Sequence, residues 1–318
     1  MLNQNLAVRA TAAAPSAPSR LFCFGLGYTA LALAWRRRAQ GWTIGGTCLS
    51  AERCSALGNA GFAVERFARE RPLADAAATL AGTTHLLVSI SPDAAGDPVL
   101  ACHGADIAAA SAGSLRWVGY LSTTAVYGDR GGGWVDETAV LRPSGERGRR
   151  RAAAEAGWLE LGRRAELPVH LFRLASIYGP GRSALDAVRT GTAQRVDKPG
   201  QVFSRIHVED ISAVLEASMA RPSPGATYNV CDDEPTPPGD VVAFACTLLG
   251  VEPPPPMPFA TATLSAMARS FFDDNKRVDN SRIKRELGVT LRYPDYRAGL
   301  CAVLAAETAG GGQDDAGP

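Results

Sequence analysis

The sequence predicts an α/β fold, a doubly wound parallel sheet with a smaller C-terminal lobe built from insertions. Three observations predict it. Short apolar runs alternate with helix-period stretches from about residue 20 onward, a glycine turn joins the first run to the first helix, and the alternation loosens after Tyr178 around the proline-rich joints 235–238 and 253–258. Strands buried on both faces read as continuous apolar runs rather than alternating ones, and helices must cover them.

Each element follows in turn. Leu21-Phe22-Cys23-Phe24 is a strand stopped by Gly25, and Tyr28 to Gln40 is a helix closed by Gly41. A second strand covers Trp42 to Thr47, and the helix from Ser50 to about Gly58 starts on its own serine cap. His85 to Ile90 is a buried strand ended by Pro92, Asp97 to Ala112 is helical, and Arg116 to Ser122 is again a strand. A long helix carries Ala152, Glu155, Trp158 and Leu159, and Val169 to Leu174 is the next strand. Residues 20–178 with about 206–235 form the sheet domain, and about 179–205 with 236–305 form the smaller lobe. By composition, 1–19 and 306–318 are disordered tails.

Composition narrows the function. The 318 residues carry 33 Lys+Arg against 32 Asp+Glu, a formal net charge of +1, which argues against a nucleic-acid binder held by bulk electrostatics. No apolar stretch reaches the ~18–20 residues of a membrane span. Seven scattered cysteines form no C-x-x-C pair, so a disulfide framework or a metal site is not expected, and buried free thiols in the cytoplasm are. Only three of the 33 cations are lysines, Lys198, Lys276 and Lys284.

The strongest chemical feature is Gly25-Leu26-Gly27-Tyr28-Thr29-Ala30, a G-x-G-x-x-A between the first strand and first helix. Gly25 permits the tight turn, Gly27 lets a pyrophosphate approach the backbone, and the N–H groups at Tyr28 and Thr29 open the helix toward phosphate. A bare turn between strand and helix is the alternative. Ser89, near the end of the His85–Ile90 strand, joins the candidate cofactor residues. A dinucleotide site for NAD usually places an Asp or Glu at the end of the second strand. Here Thr47, Ser50 and Arg53 stand in that region with no acid before Glu52, so NADP is favoured over NAD.

Further segments resemble one family. Leu121-Ser122-Thr123-Thr124-Ala125-Val126-Tyr127-Gly128-Asp129, then Asp136-Glu137-Thr138, is similar to the fifth-strand segment of the extended short-chain dehydrogenases/reductases, the NAD-dependent epimerase/dehydratase family. Arg173 to Arg182 resembles the loop after its sixth strand, Ile206-His207-Val208-Glu209-Asp210 its next helix entry, Tyr228-Asn229-Val230 the following strand, and 275–288 its C-terminal segment. The likeness covers about residues 20–300 and implies a Rossmann-like fold with a C-terminal substrate lobe. It also implies a small-molecule substrate and a homodimer built on flanking helices, for which Trp158 and Leu159 offer a face. Core packing of those two residues is the alternative.

The family's proton-transfer pair is missing. A Tyr and a Lys in Y-x-x-x-K spacing follow a Pro by four residues there. After Pro143 the same register holds Arg147 and Arg151, with Glu155 still in place. Arginine does not exchange a proton near neutral pH. Arg151 then falls beside the cofactor ribose. Thr123 occupies the family's Ser/Thr position and could orient a substrate carbonyl, or simply cap the strand end. Tyr127 and Tyr178 are candidate substitute acids, or packed loop tyrosines. Arg182, Arg205 and His207 are candidate substrate contacts, with a core role for His207 the alternative. Three functions follow: an NAD(P)-dependent oxidoreductase or epimerase-like enzyme, a non-catalytic NADP-binding protein, and a nucleic-acid-binding Rossmann protein.

Overall fold

A computed structural model of the chain describes residues 19–110 and 114–311. Along the chain run β1 (Arg20–Phe24), α1 (Tyr28–Ala39), β2 (Thr43–Cys48), α2 (Ala51–Asn59), β3 (Ala63–Arg66), α3 (Ala76–Leu80), β4 (His85–Val88), α4 (Pro98–Ala110) and β5 (Trp117–Thr123). A 3-10 turn (Thr124–Tyr127) and β6 (Trp134–Val135) precede α5 (Glu146–Arg164), β7 (Val169–Leu174), β8 (Ser176–Tyr178), α6 (Ala184–Arg189), β9 (Val196–Asp197) and β10 (Arg205–His207). Then come α7 (Val208–Ala220), β11 (Thr227–Val230), α8 (Pro238–Leu249), β12 (Met257–Pro258), α9 (Ala266–Phe271), β13 (Arg277–Val278), α10 (Ser281–Leu287) and α11 (Tyr296–Gly311).

Seven parallel strands form the sheet in the order β11-β7-β5-β4-β1-β2-β3. The order reverses direction between β1 and β4, and this switch point opens a crevice at the carboxyl ends of those strands. Leu21, Phe22, Cys23 and Phe24 of β1 and all of β7 are buried, because α1 and α7 cover one face of the sheet and α4 and α5 the other. Trp117 and Trp158 are enclosed, yet each indole N–H finds a partner, Ser218 Oγ at 3.0 Å and Asp97 Oδ2 at 3.2 Å. Trp158 is therefore core, which removes it from the dimer face the sequence offered.

One network ties the sheet to α5. Arg173 of β7 donates through Nε and Nη2 to Glu155 of α5, the closest approach being 2.8 Å, and both side chains are buried. Ser122 donates to Glu155, Arg173 Nη1 donates to the Tyr127 hydroxyl at 3.0 Å, and that hydroxyl donates to Asn229 Oδ1 at 2.7 Å. Burial alone would lower the Arg173 guanidinium; the hydrogen bonds and charge of Glu155 outweigh it and hold the group above its usual value.

The sequence differs from the structure at several points, the unforeseen helix α3 among them. It offered no strand at β3, an edge strand with only Val64 half-buried and hence no apolar signature. Cys48 and Cys54 form a disulfide, correcting the expectation of free thiols there; one turn of α2 brings their Cα atoms to 5.8 Å. Cys23, Cys231 and Cys246 are buried and free, as expected, whereas the free Cys102 is half-buried and Cys301 is exposed. Helix α11 runs to Gly311, past the boundary expected at 305, whereas 1–18 and 312–318, the bulk of the expected tails, lie outside the described residues. Among the described residues no helix is long and apolar enough to cross a membrane, and no cluster of His, Cys, Asp or Glu could hold a metal ion.

Candidate functional site

The crevice at the switch point begins at the turn after β1. Gly25 has φ +90°, and a Cβ there would meet Ile90 Cγ1 and Ser89 Oγ at 2.9 Å, so only glycine fits the turn. Its N–H donates to Thr47 Oγ1 at 2.9 Å, and its carbonyl accepts from Ser89 Oγ at 2.6 Å. Gly27 faces open space and caps α1 with no side-chain hydrogen bond, and the first turn of α1 has no acid. The first N–H groups of α1 thus face the crevice without a side-chain acceptor, which suits an anion such as a pyrophosphate.

From this turn a cavity of about 1020 Å³ runs between the sheet domain and the C-terminal lobe. Tyr28, Thr29, Ser89, Ser91, Thr123, Arg151 and residues of α9 line it. Arg151 is buried and donates to Ser91 Oγ at 2.8 Å and to the Leu121 carbonyl at 2.5 Å, holding the ends of β4 and β5 together. Arg147, one turn earlier on α5, lines the cavity with its guanidinium 5.2 Å over the Phe271 ring. Arg182 also lines it, 5.7 Å over the Tyr28 ring. Thr123 lines the wall while its hydroxyl accepts from the Ala125 N–H at 3.3 Å, capping the 3-10 turn.

Other residues singled out from the sequence stand elsewhere. Thr47 is enclosed beneath the glycine turn, and Ser50 caps α2 by accepting the Arg53 N–H at 3.2 Å. Arg53 is exposed on that helix, and none of the three is on the cavity wall. Tyr127 is buried in the Arg173–Asn229 network, and burial pushes its phenol up to about 12, so it is a packed core tyrosine off the cavity wall. Tyr178 donates to the Asp295 carbonyl at 3.3 Å, and burial raises its phenol strongly; it too is off the cavity wall. Arg205 donates to the carbonyls of Phe203 and Thr236, at 2.9 and 3.1 Å. His207 caps α7, its Nδ1 accepting the Glu209 N–H at 3.2 Å between the rings of Tyr178 and Tyr293, and burial lowers it to about 4. Neither Arg205 nor His207 lines the cavity.

Sequence reasoning passed over Lys276. It lines the cavity, its Nζ donating to the Gly128 carbonyl at 3.1 Å and to Asp274 Oδ2 at 3.0 Å, and burial holds the ammonium below its usual value. The available signal was its rarity, as one of three lysines, within the C-terminal segment already marked as similar to the family.

No protein-family model matches the chain. It is 32% identical over 183 residues to Protein YeeZ of Escherichia coli K12, a match covering 55% of this chain and 58% of YeeZ. A conserved protein of unknown function from Silicibacter pomeroyi is 53% identical, with 91% of this chain and 99% of that one covered and a TM-score of 0.83. The dTDP-glucose 4,6-dehydratase of Bacillus anthracis, solved with NAD, superposes with a TM-score of 0.73 at 16% identity, covering 92% of this chain and 97% of its own. The chain belongs to the family of the Silicibacter pomeroyi protein, and its fold is that of the NAD-dependent epimerases and dehydratases of the extended short-chain dehydrogenase/reductase type.

Proposed function

We propose that the chain is a nicotinamide-dinucleotide-dependent oxidoreductase or epimerase-like enzyme acting on a small molecule in the inter-lobe cavity, with NADP preferred over NAD. The observation that carries this reading is the continuity of one cavity from the glycine turn to the C-terminal lobe, past the end of β5. The residues fit a dinucleotide: Gly25 cannot carry a Cβ, Gly27 opens onto free space, and α1 presents a bare N-terminus. Gly27, Tyr28 and Thr29 would hold the diphosphate, and Ser91 and Arg151 the nicotinamide ribose. Arg53 and Arg66, both exposed near the end of β2, favour a 2′-phosphate there.

When bound, the nicotinamide supplies or accepts a hydride. Thr123 orients the substrate oxygen at the end of β5, and its hydroxyl hydrogen is free because the contact to Ala125 uses it only as acceptor. Tyr127 and Tyr178 stand off the wall with engaged hydroxyls, so the proton passes through water or through Lys276, the one ammonium on the wall.

A second reading, a non-catalytic NADP-binding protein, is favoured by one observation. Arginines occupy both positions of the proton-transfer pair, and Arg151 is locked to Ser91 and Leu121. Purified chain incubated with NADPH and a panel of aldehydes, ketones and 2-oxo acids separates the two. Oxidation of NADPH that falls in Thr123→Val supports the enzyme. Tight NADPH binding with no turnover across the panel supports the second reading.

A further inference from the structure

The dinucleotide reading leaves two guanidinium groups on the cavity wall, Arg147 and Arg182, without an ion-pair partner. Arg147, Arg151, Arg182 and Lys276 line the cavity against two carboxylates, Asp273 and Asp274, and Asp274 is already taken by Lys276 at 3.0 Å. Among the described residues, neither Arg147 nor Arg182 forms an ion pair, and Arg151 donates only to neutral oxygens. Arg147 sits near both of the other guanidinium groups, and burial together with their charges lowers it from its usual value. Arg151 is buried while Arg147 and Arg182 are exposed to the cavity, and like charges on one wall repel one another unless an anion joins them.

The backbone adds to this charge. Helix α5 is 19 residues long, and its N-cap, Gly145, makes no side-chain cap. Ser144, Gly145 and Gly148 of this helix start are on the cavity wall. The one acid of the first turn, Glu146, points away to Arg149 at 2.9 Å and Arg150 at 3.0 Å. The helix end therefore keeps its positive field toward the cavity. At Gly148 a Cβ would strike the Ala125 carbonyl at 2.7 Å, which explains how the helix start packs so closely on the turn after Thr123.

We propose that Arg147, Arg182 and the open N-terminus of α5 form a second anion site that holds a carboxylate or phosphate of the substrate, with Arg182, over the Tyr28 ring, at its border with the glycine turn. The inference rests on the dinucleotide reading, which assigns the diphosphate to α1 and leaves this cluster for another ligand. It makes the substrate a small oxyanion-bearing carbonyl or alcohol, gripped next to Thr123 by the residue that stands in the tyrosine register. Guanidinium forks match carboxylate and phosphate oxygens in paired hydrogen bonds, which explains arginine rather than lysine at 147.

The test is a calorimetric titration of the full chain at fixed ionic strength, with inorganic phosphate, pyrophosphate or oxaloacetate as probe, with and without saturating NADPH. Binding of at least one probe is expected with NADPH present, weakened 10-fold or more in Arg147→Gln and in Arg182→Gln, and partly restored in Arg147→Lys. Preference for oxaloacetate over phosphate identifies a carboxylate ligand, and the reverse a phosphate ester. NADPH titrated alone checks the cofactor reading separately, and its Kd is expected to move less than 3-fold in Arg147→Gln. Circular dichroism melting confirms that both variants fold, since neither arginine is enclosed. Probes that bind only by displacing NADPH, that bind both variants like the wild type, or that give no heat beyond a chloride control overturn the second site.

Discussion

Replacing Glu155 by glutamine tests the network that fixes the cavity wall. The side chains of Arg173 and Glu155 are 7% and 3% exposed, and three hydrogen bonds join them. Glutamine keeps the shape and removes the charge, which strands the Arg173 guanidinium between β7 and α5 with the Tyr127 oxygen and one amide for partners. Stranding one member of a buried pair costs about 3–5 kcal/mol. With a urea dependence of roughly 3 kcal/mol per M, the midpoint falls by about 1–1.7 M. Urea unfolding followed by tryptophan fluorescence reads this well, because Trp117 and Trp158 are both enclosed. The double variant Glu155→Leu/Arg173→Met removes both charges together and is expected to recover to within about 1 kcal/mol of the wild type. A single-variant loss below about 1 kcal/mol, the range of an exposed pair, would show that the pair is not a buried, stabilising contact, as would a double variant that loses as much as the single one.

Three further outcomes are expected. Gly25→Ala forces a side chain into φ +90° against Ile90 and Ser89; it should cost about 1–3 kcal/mol in a thermal or urea melt and weaken NADPH binding at least 10-fold. Acid should act through His170, enclosed and lowered to about 4 by burial: the unfolded chain takes up a proton from about pH 6.5 downward and the folded chain does not, so stability is lost as pH falls toward 4. His170→Gln, which can still accept the Ser223 N–H, should therefore gain roughly 2 kcal/mol on the wild type between pH 7 and pH 5 in urea melts. Asp232 has the opposite sign: burial raises its carboxyl to about 8 against the pull of Arg205, so stability declines as pH rises from about 4 to 8, and Asp232→Asn should flatten that decline.

The fold was legible because its carriers are local. A buried parallel strand must be a run such as Leu21–Phe24, and a phosphate turn needs glycine at 25 and 27, so the first βα unit can be read from a dozen residues. The site was legible only in part, for a residue type does not reveal where a side chain ends. Tyr127 ends the 3-10 turn after β5 and Tyr178 ends β8, both near the crevice in sequence, yet long-range partners, Asn229 and Asp295, draw their hydroxyls into the packing. His207 reads as a substrate contact in sequence but serves as a helix cap, since Glu209 N–H lies two residues on. Thr47 is masked in the same way by the Gly25 N–H. Lys276 lies about 150 residues from Gly128, the carbonyl it meets, and no local pattern announces such a contact.

The bare start of α1 and the glycine turn are proposed to grip a nicotinamide dinucleotide. Titrating the purified chain with NADPH and, separately, with NADH while following nicotinamide fluorescence tests this most directly. Saturable enhancement with both, tighter for NADPH, is the expected result. No change and no calorimetric heat with either reduced or oxidised coenzyme would contradict the account.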